Sequence, residues 1–177
     1  MSNCLQTLKG ISLDCGSSLG GVKKVWIGDW KTVMDEKPMP DETTGIIGSI
    51  ANSGFKPFEF RRGTASMTST LNVDETTGAN FVSTEVALVF TKMDTQKRLE
   101  MAALAVGQLA VVVKDANDRY WFLGYDDYVS ASAGGAETGT AKTDRNAYTI
   151  TLKTESATFP YEIQSEGAEG LEDLVVD

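Results

Sequence analysis

Histidine is absent from this 177-residue chain. That absence removes the Ser-His-Asp and Cys-His nucleophile arrangements, the usual zinc sites and the commonest general base at neutral pH. Cysteine is scarce: Cys4 and Cys15 are the only two, both near the N-terminus. The opening "MSNCLQTLKGISLDCG" lacks a basic region followed by an apolar stretch and a small-residue cleavage site, so a cytosol-like compartment and reduced thiols are expected. No run of eighteen apolar residues is present, so no membrane partner is expected. Basic residues number 16 against 25 acidic ones, a net charge of −9. That balance disfavours binding to DNA or an anionic membrane, which needs a basic surface.

Chemistry that needs only carboxylates survives these exclusions, yet no motif carries it. In "GYDDYV", Asp126 and Asp127 fall on opposite faces of a strand and cannot jointly hold a metal or bracket a sugar, so they read as a strand end or bulge. "DANDR" lacks the central glycine and late glutamate of a calcium loop. "ETGTAKTD" lacks the Gly-Lys-Ser/Thr of a phosphate loop and no helix follows it. Trp26, Trp30 and Trp121 could offer sugars an aromatic platform, but aromatics at strand spacing are more often packing residues. No enzymatic activity, metal or cofactor is expected.

What the chain does have is hydrophobic alternation. Residues 1–21 read as an N-terminal arm with a Gly/Ser joint. "VKKVWIGDW" reads as a strand, with Val25 and Ile27 on one face and Lys24 and Trp26 on the other. Three of the four prolines lie in 35–57, read as a long loop with an apolar patch at Ile46, Ile47 and Ile50. "DTQKRLEMAALAVG" is the one clear helix, capped by Asp94 or Thr91 and ended by Gly107, with Leu99, Ala102, Ala103 and Val106 as its apolar stripe, widened by Met101, Leu104 and Ala105. "LAVVVK" and "RYWFLGY" form a hairpin around "DAND". "AGGAETGTAKTD" reads as a loop of small residues. "AYTITLKTES" alternates cleanly, with Thr149, Thr151 and Lys153 opposite Tyr148, Ile150 and Leu152. The tail, 164–177, is acidic; Leu171, Leu174 and Val175 give it something to bury, either nowhere or on a neighbouring subunit. Together these elements predict one mainly β domain, a sandwich or barrel with a single packed helix.

The most informative stretch is 58–90. Its first strand carries Thr64, Ser66, Thr68, Thr70 and Asn72 on one face; Met67, Ser69, Leu71 and Val73 lie on the other. After an acidic turn at Asp74 and Glu75, the return strand alternates Val82, Thr84, Val86, Leu88 and Phe90 against Ser83, Glu85, Ala87 and Val89. At roughly 3.3 Å per residue, fifteen residues would reach at most about 50 Å. A long exposed ribbon is an aggregation hazard for a monomer unless its edges pair in a controlled way. Copies standing in a ring could pair ribbon to ribbon into a closed barrel, with the Thr/Ser/Asn face lining a wet lumen.

Over about residues 58–163, the order of long hairpin, short helix, hairpin, glycine-rich loop and final strand resembles the tail tube (major tail) proteins of long-tailed bacteriophages. The resemblance implies a β-sandwich or barrel protomer whose long hairpin joins an inter-subunit barrel. It also implies hexameric rings stacked into a hollow virion tube, assembled in the bacterial cytoplasm, with DNA as non-sticking cargo. Tape measure and terminator proteins, and a sheath where the tail has one, are partners by the same likeness. Lumen-lining positions would be Thr64, Ser66, Thr68, Thr70, Asn72, Asp74, Glu75 and Glu85, with an acidic bore repelling phosphate; Arg61 and Arg62 cut against a uniformly negative lining. Ring-to-ring contacts would come from Leu13, Ile46, Ile47, Ile50, Leu171, Leu174 and Val175. The alternatives are a carbohydrate-binding sandwich built on the three tryptophans, and another virion component such as a capsid decoration or head–tail joining protein.

Overall fold

The computed structural model describes residues 8–176; Cys4, Asp177 and the rest of the arm's first seven residues lie outside that range. Two antiparallel sheets form a β-sandwich. The five-stranded sheet contains β1 (Val22–Asp29), β2 (Phe55–Phe58), β5 (Leu109–Asp115), β6 (Tyr120–Leu123) and β9 (Tyr161–Ile163), in the order β2-β1-β5-β6-β9. The four-stranded sheet contains β3 (Ser66–Asp74), β4 (Ala79–Thr91), β7 (Ser130–Glu137) and β8 (Ala147–Ser156), in the order β3-β4-β8-β7.

Alternation dictates where each strand's apolar residues go. Val25, Ile27, Val111 and Val113 of one sheet meet Val86, Leu88, Ile150 and Leu152 of the other in the principal core. The five-stranded sheet is apolar on its far face too, and needs a second cover. Trp26, Phe55, Ala110, Val112, Phe122 and Ile163 there pack under Ile47, Ala168 and Leu171. The cover comes from the 36–54 loop and the C-terminal segment, where a 3₁₀ turn (Ser165–Ala168) leads into a short helix, α3 (Glu169–Glu172). Gly48 and Gly167 make that contact so closely that a Cβ on Gly167 would lie 2.0 Å from the Gly48 carbonyl oxygen.

The tail is therefore docked on its own subunit and not left in solvent. Ile47 and Leu171 are fully buried, Ile50 and Leu174 pack half-buried on the same cluster, and Ile46 is half-buried. Of the expected ring-to-ring residues, only Leu13 and Val175 stand exposed. Glu172 fastens α3 to the sheet. It accepts hydrogen bonds from Lys114 Nζ and the Tyr120 hydroxyl, both at 2.7 Å, and pairs with Lys24. Burial alone would raise the Glu172 pKa, but these donors outweigh it and hold the carboxyl at about 2.

Four sequence expectations shift. The ribbon's first strand begins at Ser66, since a turn in which Thr64 N donates to the Arg61 carbonyl, with Gly63 at φ +79°, breaks it from β2. Phe58 thus belongs to the other sheet. β2 runs through Pro57, which an edge strand tolerates because no ladder donor is needed on its open side. The glycine-rich "loop" opens as β7, whose small residues pair with β8. Finally, a short helix, α1 (Trp30–Asp35), starts on an Asp29 cap that accepts from Thr32 N at 3.0 Å.

The long helix, α2 (Thr95–Val106), has the expected ends: Asp94 accepts from Lys97 N, and Gly107 N donates to the Ala103 carbonyl. Its buried side differs. Leu104 is buried and Met101 packs on the core, whereas Leu99 is 58% and Val106 87% exposed, with Ala102 and Ala103 exposed beside them. A helix this rich in alanine has two apolar flanks, and spacing alone does not choose between them.

Leu104→Ala should lower stability by about 2–4 kcal/mol, while Leu99→Ala should change it by under about 0.5 kcal/mol; urea unfolding of both reads the difference. A second expectation concerns acid. The unfolded Glu172 carboxyl titrates near 4.3 and the folded one at about 2. The clamp's contribution is then complete above that unfolded value and is lost as pH falls towards 2. Glu172→Gln should flatten this part of the acid limb in urea midpoints measured between about pH 6 and 2.

Candidate assembly face

The four-stranded sheet has one face in the core and the other towards solvent. Its register aligns the outward residues into rows across the strands. Thr68 stands opposite Glu85, which stands opposite Lys153 and then Ser130; Thr70, Ser83 and Glu155 form the next row; Ser66, Ala87, Thr151 and Ala133 another. These side chains are small or polar, and several are threonines. The surface is one that can be wetted without exposing core.

The sequence-expected lining residues divide as follows. Ser66, Thr68 and Thr70 are exposed on this face, with Glu85 beside them on β4. Asn72 follows in the same alternation, half-buried, its side-chain amide donating to the Thr70 carbonyl. Asp74 and Glu75 occupy the hairpin tip. Thr64 does not join them; it lies in the turn before β3, and its hydroxyl donates to the Arg61 carbonyl at 2.6 Å. Arg61 and Arg62 are in the same turn, off the sheet. The residues that sequence reading left out of the face are those of β7 and β8. Their alternation was visible for Thr149, Thr151 and Lys153, but nothing local showed that they continue the ribbon's sheet.

Asp74 builds the tip. Its Oδ1 accepts from Thr76 N at 2.8 Å and Thr77 N at 3.2 Å, and Gly78, at φ +72°, lets the chain turn back. Those backbone donors hold the Asp74 carboxyl below the usual carboxylate range, so it stays charged at neutral pH. Glu85, Glu155, Asp74 and Glu75 outnumber Lys153 on this face, and Lys153 is itself 3.3 Å from Glu155. The face is acidic on balance.

Both margins of the sheet are strand edges. β3 and β7 end the order, so among the described residues each has a partner on one side only. β3 also exposes apolar side chains on its core-facing side: Leu71 is 50% and Val73 62% exposed. Towards the tip these residues have no opposing layer.

The other expected sites do not gather. Trp26 is buried and stacks on Tyr120 at 5.9 Å; Trp30 Nε1 donates to the Gly124 carbonyl and Trp121 Nε1 to Asp115. The three tryptophans form no common exposed platform. Asp126 accepts from Ala157 N, Asp115 from Asn117 and Arg119 amides, and Asp144 from Thr140 and Ala141 amides. Asp115 and Asp144 each shape a turn, and Asp126 ties its own bend to the segment after β8.

Asp74→Ala should loosen the tip without unfolding the sandwich. Hydrogen exchange at the Val73–Ala79 amides should quicken, while amides of β5 keep their protection; equal loss in both would contradict this local role.

Compared with known protein families, curated proteins and solved structures, the chain matches none.

Proposed function

We propose that this chain is a structural subunit that closes with copies of itself into a ring, and that rings stack into a hollow tail tube of the kind long-tailed bacteriophages build. The observation that supports this best is the four-stranded sheet, which combines a small, polar outer face with two long edges that have no further strand among the described residues. An edge of nine residues such as β3 invites uncontrolled pairing. Pairing β3 of one copy with β7 of the next removes both edges at once and continues the sheet around a ring. The exposed Leu71 and Val73 then gain a neighbour to pack on.

Closed with this face inward, the barrel presents threonines, serines and a net of carboxylates to its lumen. DNA inside meets like charge and few cationic groups to neutralise phosphate, so it passes without binding. The chain's −9 charge, repeated around a ring, adds to the same field.

Purified protein, concentrated and examined by negative-stain electron microscopy, should show hollow tubes or stacked rings of uniform width. Particles that remain monomeric at high concentration would overturn the reading. In assembled tubes, Asp74→Lys with Glu75→Lys should leave the subunit folded but make the tube retain DNA at low salt and release it as salt rises. Tubes that still release DNA at low salt would remove the acidic lumen from the account.

A further inference from the structure

The two sheets end in different ways. β3 and β7, of nine and eight residues, contain no proline, and every residue on their open sides keeps its amide. The five-stranded sheet ends in β2 and β9, and each of those margins leads to a proline.

β2 is the simpler case. Pro57 stands opposite Trp26 in an unbroken antiparallel ladder, with Lys56 opposite Ile27 and Phe58 opposite Val25. Having no N–H, Pro57 occupies a position whose backbone groups point away from β1. Backbone groups two residues apart point the same way in a strand, so Phe55 is the other outward position. Its amide is already used, donating to the Asn52 carbonyl at 3.3 Å. Neither outward position of β2 has a donor left for an incoming strand.

The β9 margin is covered in two layers. Ile47 lies along its open side, bridged in parallel to Ile163. Ile47 N donates to the Glu162 carbonyl and Gln164 N to the Ile47 carbonyl, both at 2.8 Å. Beyond Ile47 comes Pro40, bridged antiparallel to it, and Asp41 N donates inward to the Ile46 carbonyl at 2.9 Å. Pro40's own backbone groups therefore point outward, and they too lack an N–H. Two of the chain's four prolines thus stand on the margins of one sheet.

We infer that Pro57 and Pro40 close the five-stranded sheet to strand addition, so that strand pairing between copies is confined to the four-stranded sheet. This rests on pairing through β3 and β7 as proposed above, and it supplies what makes that pairing selective. A margin that accepts hydrogen bonds but donates none forms only part of a ladder, and proline at an edge turns neighbouring strands away.

The test follows variants of the full chain by sedimentation velocity over rising concentration, with circular dichroism to show that each is folded and hydrogen exchange to locate contacts. Leu71→Lys with Val73→Lys, at exposed positions of β3, places charge on that edge and should hold the protein monomeric. Adding Pro57→Val restores an outward N–H with a residue that suits a strand. That chain should associate again as concentration rises, with exchange slowed at residues 55–58 and not at 66–74. Pro40→Val, made separately on the same lysine background, should do the same with exchange slowed at 39–42. Association of the lysine variant itself, with slowed exchange at 55–58 or 40–47, would overturn the inference. A valine variant that stays monomeric would remove its proline from the account, and both staying monomeric would end it. The unaltered chain, run alongside, separates the two readings. If it stays monomeric while Pro57→Val associates, the ring is defeated and the closed margin stands.

Discussion

β4 is the strand on which the rest depends, because both of its faces are committed. Val82, Thr84, Val86, Leu88 and Phe90 are buried, while Ser83, Glu85, Ala87 and Val89 lie on the other side. With a side-chain period of two, a slip of one residue would drive Glu85 into the core and Val86 into solvent, so the register is fixed by burial. β3 and β8 take their registers from β4 across long ladders. Everything on the outer face, including the rows of threonine and serine, inherits its placement from that one alternation.

The same reasoning shows why much of the fold was legible and where legibility ended. Strands with one apolar face, such as β4 and β8, announce both their existence and their orientation. The two-stranded reading of 58–90 failed at its base since Phe58 and Phe60 continue the parity of Thr64 and Ser66; only the tertiary crossover at Arg61–Thr64 separates them. "YVSAS" reads as strand, but the rest of β7, from Ala133 to Glu137, was hidden by composition: Ala and Gly make poor strand signals, and here they pair because β8 supplies the ladder. The α2 stripe was legible as apolar but not as facing inward, and its exposure leaves it open to a neighbour.

Electrostatics divides the molecule in two. On the covered side of the five-stranded sheet, Glu172 meets Lys24 and Lys114 and serves the subunit's own stability. On the open face of the four-stranded sheet, carboxylates at Asp74, Glu75, Glu85 and Glu155 face water with Lys153 as their basic counterpart. Glu172, which fastens the tail, is paired with bases, whereas carboxylates outnumber bases on the proposed lumen. Of the expected lining, the β3, β4 and tip residues share one surface, whereas Thr64 belongs to the crossover. Sequence could mark the residues of that surface on the ribbon, but the second half of it arrives from β7 and β8, beyond α2 and the β5–β6 hairpin.

The central claim is that β3 and β7 pair between copies. Hydrogen exchange of backbone amides, compared between dilute and concentrated protein, tests it most directly. The account expects the outward-pointing amides of Ser66–Asp74 and of Ser130–Glu137 to become protected together on assembly. If both edges exchange as fast in the concentrated protein as in the dilute one, the sheets do not join, and the ring built on them is wrong.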